Sequence, residues 1–523
     1  MKLAAPLKGV PPVYYGAWLL VACFLLSLIY LSATNSDALS FSFLGSQMSY
    51  SVTAPASSTA SSNQQFVVSW FIVLGICSAG TREKEGIERS SPCDLKFNYC
   101  EVDDRAVLDR SRETVESLNN NNASTSVDQL QRSPTTKAEM SDRSPLCDLS
   151  NYRSDTCEIK GDARVAGKDS PSVVAVLPGG SSVQSWKIKP YARKSDPTAM
   201  RNVRQIDVRA VVDHIAAVPR CDVTHTAPAV VFSTGGYLGN YFHDFTDVLV
   251  PLFQTAGPFA GEVQLVVADF KFWWVGKYLP YFNRISRYPI IDFDRDERVH
   301  CFRHVLVGLR SSRDLIIDPA SSPARYTMLD FTKFMRETYS LDRDQAGGAR
   351  GRRNPRLLVI SRARTRKFMN VDEIARLARK VGFEVVVAEA DFGGVANFSR
   401  LVNSCDAMLG VHGAGLTNAV FLPTNAVLIQ VVPFGKLEWI AANYFRNPAR
   451  EMRLRYLEYT IGAEESTLTE LYSRDDPVFR DPESIHKLGW FTMGAIYLDK
   501  QNVRLDLRRF RPVLSRALKL LRN

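Results

Sequence analysis

Short β-branched runs alternate with amphipathic stretches through the second two-thirds of the chain. Between residues 165 and 345, SVVAVL, APAVVFSTG, VQLVVAD, RYPIIDFD and VHCFRHVLVGL read as strands, with a helical segment from Asn240 to about Gln254. That spacing predicts a mostly parallel α/β domain over 146–345. After a Gly/Arg-rich hinge at 346–354 a second unit, 350–500, opens on the strand RLLVIS. NVDEIARLARKV follows as a helix, with Asn370 as N-cap, Glu373 completing a capping box and Gly382 as its stop. FEVVVAE, a helix near 395–404, DAMLGV, an HGAG turn, a helix from Leu416 and VLIQVV continue the alternation. The pattern is that of a Rossmann-like domain. Residues 501–523 close the chain with RLDLRRFRPVLSRALKLL, an amphipathic basic helix expected to pack back across the domains.

The N-terminal region patterns differently. Val13 to Leu31 carries no charge over nineteen positions and follows Lys2 and Lys8. That length spans a bilayer, and the basic flank places residues 1–12 in the cytoplasm, a transmembrane helix over 13–33 and the rest in a lumen. SATNSDA, directly after the run, leaves signal cleavage open. Residues 34–145, rich in Ser, Thr, Asn and charge, are too polar to bury a core and read as a disordered luminal stem. An apolar island at 66–77 interrupts it, and RSSPCDLKFNYCEVDDRAV at 89–107 echoes the segment at 143–165. That echo reads as a local duplication or an extra segment retained in the gene model. Sequons at Asn122 and Asn397 agree with a lumen. So do Cys147 and Cys157, ten apart, among nine cysteines with no CxxC: an oxidising lumen lets them bridge, and a zinc site is disfavoured.

The net charge of +10 is concentrated in RGRRNPRLLVISRARTRK, 350–367, with eight basic residues and no acid. A luminal protein meets no nucleic acid, which leaves phosphate groups or acidic glycans as partners. Arg362, Arg366 and Lys367 lie just past a strand, where guanidinium groups clamp phosphate oxygens bidentately. His412-Gly413-Ala414-Gly415 likewise follows a strand and opens a helix, whose unpaired N–H groups attract a phosphate. Both segments are therefore expected to face one cleft. VLIQVVPFG lacks the acidic residue that a dinucleotide ribose requires, and no Gly-Lys-Ser/Thr marks a Walker loop. A nucleoside diphosphate held by the turn, His412 and Asn418 remains, with Glu438 a candidate for the ribose hydroxyls.

HGAGLTNAVFLP behind an Arg-rich ISRARTRK resembles glycosyltransferase family 61, the plant xylan arabinosyl- and xylosyltransferases. GGYLGNYFHDFTDVLVPLF at 235–253 matches the other signature of that family, and CDLSNYRSDTCEIKGDARV is similar to the segment that opens its catalytic region. The resemblance covers about residues 146–523. It implies a GT-B fold with two Rossmann-like domains facing a cleft, a single-pass type II Golgi anchor, a UDP-pentose in the C-terminal domain and inversion at the anomeric carbon.

Inversion needs one base for the acceptor hydroxyl and charge stabilisation for the departing diphosphate. His243 and Asp247 are four apart and share a helix face, which lets the carboxylate orient the imidazole. His243 is the candidate base and Asp247 its orienter, with Asp244 or Asp247 itself as alternatives. Asp292, Asp294 and Asp296 stand at DxD spacing, a rival manganese site; the basic loop makes metal and cofactor unnecessary. Trp273, Trp274 and Tyr278 suit stacking on sugar rings or a place in the core.

The expected activity is transfer of arabinofuranose or xylose from UDP-arabinofuranose or UDP-xylose to a xylan backbone at the Golgi membrane, by an enzyme able to join an oligomer or synthase complex. A protein N-glycan xylosyltransferase, a non-catalytic glycan-binding subunit and a luminal methyltransferase are the alternatives.

Overall fold

The computed structural model describes residues 146–177, 183–212, 218–347, 354–389 and 394–522, all within the unit Pro92–Asn523. The anchor, the stem with its apolar island and first duplicated copy, and the sequon at Asn122 lie outside the described residues. Among the described residues no helix is long and apolar enough to cross a membrane.

The N-terminal half contributes β1 Cys147–Asp148, β2 Thr156–Ala166, β3 Ser172–Leu177, β4 Gln184–Ile188, β5 Ile206–Val212, β6 Val223–Thr224, β7 Ala229–Ser233, β8 Gln264–Ala268, β9 Ile291–Asp292 and β10 His300–Val307. They form one sheet in the order β4-β5-β3-β2-β10-β7-β8-β9, with β1 beside β2 and β6 beside β10. The sheet is mixed rather than mostly parallel. β2 runs antiparallel to β1, β3 and β10, and β4 antiparallel to β5. Five residues, 167–171, join β2 to β3, and a parallel crossover needs a dozen or more. Two disulfides tie this sheet, Cys147–Cys157 and Cys221–Cys301. The first closes the loop that leads from β1 into β2.

Helix α1 follows β7. It starts as an α-turn at Tyr241–His243, widens to a π-helix over Asp244–Leu249 and returns to α over Val250–Ala256. Asn240 caps it, its side chain accepting from Phe242 N at 3.1 Å. Short π segments occur often where a helix carries functional side chains.

The C-terminal half is a parallel sheet of β11 Arg356–Ser361, β12 Glu384–Glu389, β13 Ala407–Val411, β14 Val427–Val432 and β15 Arg455–Thr460, in the order β12-β11-β13-β14-β15. β13 and β14 are buried at every position, as strands covered on both faces must be. Helices α2 Val371–Val381, α3 Val395–Asn403 and α4 Leu507–Arg522 accompany them. Gly382 ends α2 in the left-handed region, φ 119°. Asn370 stands at the N-cap of α2 as expected, but its side chain makes no capping bond. Its amide exchanges bonds with the Leu505 backbone at 3.0 and 3.1 Å, so the C-terminal segment consumes the expected capping group. α4 packs Phe510, Leu514 and Leu518 into the same cluster as Ile374 and Ala378 of α2. Its apolar stripe is thus satisfied within the C-terminal half instead of across both. The helix expected from Leu416 is a 3₁₀ helix, Ala414–Phe421; Pro423 follows two residues later and denies it further α turns.

One hydrophobic core runs through both halves. Phe245 and Leu249 of α1 belong to the same buried cluster as Leu416, Val420 and Phe421. The Phe245 and Phe421 rings meet edge to face at 6.1 Å, and Tyr241 donates to Asn418 Oδ1 at 2.9 Å. Two sheets joined by such a core should unfold together. Phe421→Ala is expected to cost about 3–5 kcal/mol in one denaturant transition followed by both fluorescence and circular dichroism. Two separated transitions, with only one of them displaced, would show that the halves fold independently.

Candidate active site

A cavity of about 1480 Å³ is lined by segments that follow β7 and β10 in the N-terminal half and β11 and β13 in the C-terminal half. The sheet order explains its C-terminal wall. β11 lies between β12 and β13, so its two neighbouring crossovers leave in opposite directions and open a crevice at the carboxyl ends. Arg362 and Arg366 come from the loop after β11, and His412-Gly413-Ala414-Gly415 from the turn after β13.

The two segments converge. Gly413 has φ 143°, a conformation that L side chains avoid, and a Cβ there would lie 2.9 Å from Arg362 Nη1 and 3.0 Å from Arg366 Nη1. The absent side chain is what lets both guanidinium groups reach the turn. Arg362 is braced by a bond from Nε to Thr365 O at 2.8 Å. Arg366 is buried, with Nη1 donating to His412 O at 3.2 Å, and among the described residues its buried Nε has no hydrogen-bond partner. The first bond of the 3₁₀ helix runs from Leu416 N to Gly413 O at 2.9 Å, which leaves the N–H groups of Gly413, Ala414 and Gly415 outside the helical ladder. Two cations, an orphaned buried donor and three unladdered amides constitute an anion site.

His412 is buried beneath the turn, its Nδ1 2.7 Å from Gln430 Nε2. Burial, then the charges of Arg366 and Arg362, push the imidazole down to about 3, so it packs and hydrogen-bonds as a neutral ring. Asn418 also lines the cavity, but its amide is engaged, with Nδ2 donating to Gly415 O at 3.0 Å while Oδ1 accepts from Tyr241. It braces the turn against α1. Asp499 stands at the same wall, its carboxyl raised by burial against the opposing pull of Arg366 and Arg362.

Across the cavity, His243 Nδ1 lies 2.9 Å from Asp247 Oδ2. A carboxylate can only accept, so Nδ1 carries the proton and the Nε2 lone pair is left for a ligand. Asp247 is completely buried and receives Arg193 Nε at 2.9 and 3.0 Å, the Tyr191 hydroxyl at 2.9 Å and Arg153 Nη2 at 3.3 Å. Burial raises its carboxyl, but the Arg193 charge, the adjacent His243 imidazole with its hydrogen bond and the Arg153 charge outweigh that and hold it far below the usual carboxylate range. Asp247 is thus a fixed anion rather than a base. Gly236 makes room for this arrangement, since a Cβ there would stand 2.3 Å from the Tyr191 ring.

Three other expected residues lie elsewhere. Asp244 is buried away from the cavity, its carboxylate taking Gly239 N at 2.9 Å, the Tyr278 hydroxyl at 2.8 Å and Lys277 at 3.1 Å. Lys367 does not line the cavity: past the left-handed Arg366 the chain turns beside the C-terminal segment, with Lys367 N on Asn502 Oδ1 at 3.0 Å. Glu438 is exposed at the first turn of its helix, whose Trp439, Asn443 and Tyr444 face the cavity in its place. The DxD carboxylates diverge. Asp294 pairs with Arg204 at 2.7 Å and Asp296 with Arg298 at 2.6 Å; among the described residues no cluster of three His, Cys, Asp or Glu is arranged to hold a metal. Trp274 and Tyr278 are core, whereas Trp273 is half exposed.

Sequence reasoning missed Arg153, Tyr191, Arg193 and Asp314, all within the network around Asp247. Their partners lie 54 to 161 residues away along the chain, so no local pattern announces them.

The neutral His412 has a pH signature. Unfolded, an imidazole takes a proton near 6.5, whereas the folded one resists until about 3. Its contribution is complete above about pH 6.5 and is lost as pH falls toward 3. Urea titrations should show His412→Gln losing less stability than the parent between pH 7.5 and 5, by up to about 2 kcal/mol. Parallel losses would mean that the folded imidazole ionises freely.

The sequence profile described as Glycosyltransferase 61 matches residues 241–429, a span that includes α1, the Arg362 loop and the HGAG turn. The chain is 48% identical over 389 residues to alpha-1,3-arabinosyltransferase XAT2 of Oryza sativa subsp. japonica, a match covering 74% of this chain and 66% of that protein. It is 47% identical over 394 residues to beta-1,2-xylosyltransferase XYXT1 of the same rice, covering 72% and 84% respectively. Against xylan glycosyltransferase MUCI21 of Arabidopsis thaliana the identity is 36% over 401 residues, covering 73% and 80%. The chain spans slightly less than two thirds of the length of the rice arabinosyltransferases XAT2 and XAT3. On the profile match and the breadth of these alignments, the chain belongs to the glycosyltransferase 61 family.

Proposed function

We propose that this chain transfers a pentose, arabinofuranose or xylose, from a UDP-sugar to a xylan backbone, with inversion and without a metal, on a GT-B frame anchored in the Golgi membrane. The observation that carries the reading is a single cavity with an anion site on one wall and an Asp-fixed imidazole on the other. The names of the rice and Arabidopsis relatives support the pentose and the xylan acceptor.

In the transfer, His243 Nε2 accepts the proton of the acceptor hydroxyl as its oxygen bonds to the anomeric carbon. The bond from that carbon to the diphosphate oxygen breaks, and its electron pair leaves with UDP. Arg362, Arg366 and the amides of Gly413 to Gly415 take up the growing negative charge. Asp247 stays ionised throughout and compensates the imidazolium. The guanidinium groups supply the charge that a divalent cation would otherwise provide.

A transfer assay on xylo-oligosaccharides with UDP-arabinofuranose and UDP-xylose in parallel tests the reading; activity on one donor and persistence in EDTA are expected. His243→Ala should lower kcat/KM by about 10²–10⁴-fold while UDP still binds. Wild-type transfer by that variant would remove His243 from the mechanism. Arg366→Ala should weaken UDP binding about tenfold or more, measured by calorimetry, and an unchanged affinity would move the diphosphate elsewhere. UDP binding without transfer to any acceptor would favour a glycan-binding subunit.

A further inference from the structure

Four charged side chains behind His243 alternate in sign. Arg193 holds Asp247 through Nε and Asp314 through Nη2, the latter at 2.8 Å. Arg153 does the same, with Nη2 on Asp247 at 3.3 Å and Nη1 on Asp314 at 2.9 Å. Thr246 Oγ1 adds a contact to Asp314 at 3.2 Å. Arg153, Arg193 and Asp247 are almost inaccessible to water, yet Arg153, Arg193 and Asp314 line the same cavity as His243. A pair of arginines on one buried carboxylate exceeds what fixing a rotamer requires, because Tyr191 and one guanidinium would already satisfy its oxygens.

The surroundings place each member independently. Arg153 lies in the loop closed by Cys147–Cys157, and Lys194 N donates to its carbonyl at 2.8 Å, which joins that loop to the Arg193 segment. Tyr152 Oη donates to Ser312 O at 2.6 Å, which joins it to the Asp314 segment. Three separate stretches of chain therefore converge on the carboxylate that orients the imidazole.

We propose that Arg193 and Arg153 are positioning residues of the transfer step: they lock Asp247 in the orientation that fixes His243, and their positive charge sets the acidic limit of activity. The inference rests on His243 acting as the base. An imidazole backed by a lone carboxylate holds its proton tightly and works poorly as a base in a mildly acidic lumen; two cations on that carboxylate weaken its pull. Asp314 tempers the cations in turn. Besides Asp247 on its own helix, the charged and titratable groups around His243 are Tyr191, Arg193 and Asp196 after β4, Arg153 in the bridged loop, Tyr237 in the glycine turn and Asp314 after β10, with Tyr444 of the C-terminal half beside Arg193.

The signs are opposite and therefore testable. In the pH profile of kcat/KM with the full chain, Arg193→Gln and Arg153→Gln should each move the acidic limb to higher pH, by roughly half to one unit. Asp314→Asn should move it lower. Arg193→Lys keeps the charge and loses the fork, so its limb should stay while its plateau falls about tenfold. UDP affinity, set on the opposite wall, should be unchanged in all four, which identifies any variant that has failed to fold; Arg153→Gln, which removes the longer contact, secures the test if Arg193→Gln does fail. Lowered plateaus with unmoved limbs would overturn the inference and leave the arginines a packing role, whereas full transfer by His243→Ala would instead overturn the base on which it rests.

Discussion

A fully buried carboxylate is the constraint around which the N-terminal half is organised. Removing an ion such as Asp247 from water costs several kcal/mol unless partners replace its solvation. Here the replacement comes from Arg153, Tyr191, Arg193 and His243. Satisfying that one group brings together the bridged loop, the segment after β4 and the π-helical part of α1. The glycine turn contributes room, since Tyr191 reaches Asp247 only by lying over Gly236.

The anion site obeys the complementary rule. Positive charge is gathered on one wall: Arg366 is buried, its Nε without a hydrogen-bond partner among the described residues, and the amides of the HGAG turn precede the first helical bond. Nearby His412 adds no charge, because burial and then the charges of Arg366 and Arg362 keep its imidazole neutral. Each wall thus has a defined polarity: one presents cations and amide donors, and the other an imidazole backed by a buried carboxylate.

The walls keep their spacing because they share a core. Tyr241 sits two residues before His243 and hydrogen-bonds Asn418, which in turn braces Gly415. Phe245, on the helix face opposite His243, packs on Phe421 at the end of the same 3₁₀ helix. The elements that form the two walls are therefore direct packing partners, which makes a preformed cleft the natural consequence of the fold.

By itself the sequence determined what local chemistry can determine. Apolar runs marked β3, β7, β8, β10 and the first four strands of the C-terminal sheet, the i,i+4 pair marked His243 and Asp247, and glycine-rich turns after strands marked the anion site together with Arg362 and Arg366. Tertiary structure decided whatever depends on partners remote along the chain. β2 escaped because Lys160 and Gly161 interrupt its alternation of buried and polar positions, and its antiparallel pairing follows from a short link. Glu438 and Lys367 carry suitable chemistry, but helix phase and the left-handed Arg366 direct the chain so that neither lines the cavity. Arg153, Arg193 and Asp314 look like ordinary surface charges in one dimension, and only the folded chain brings them into one network with Asp247.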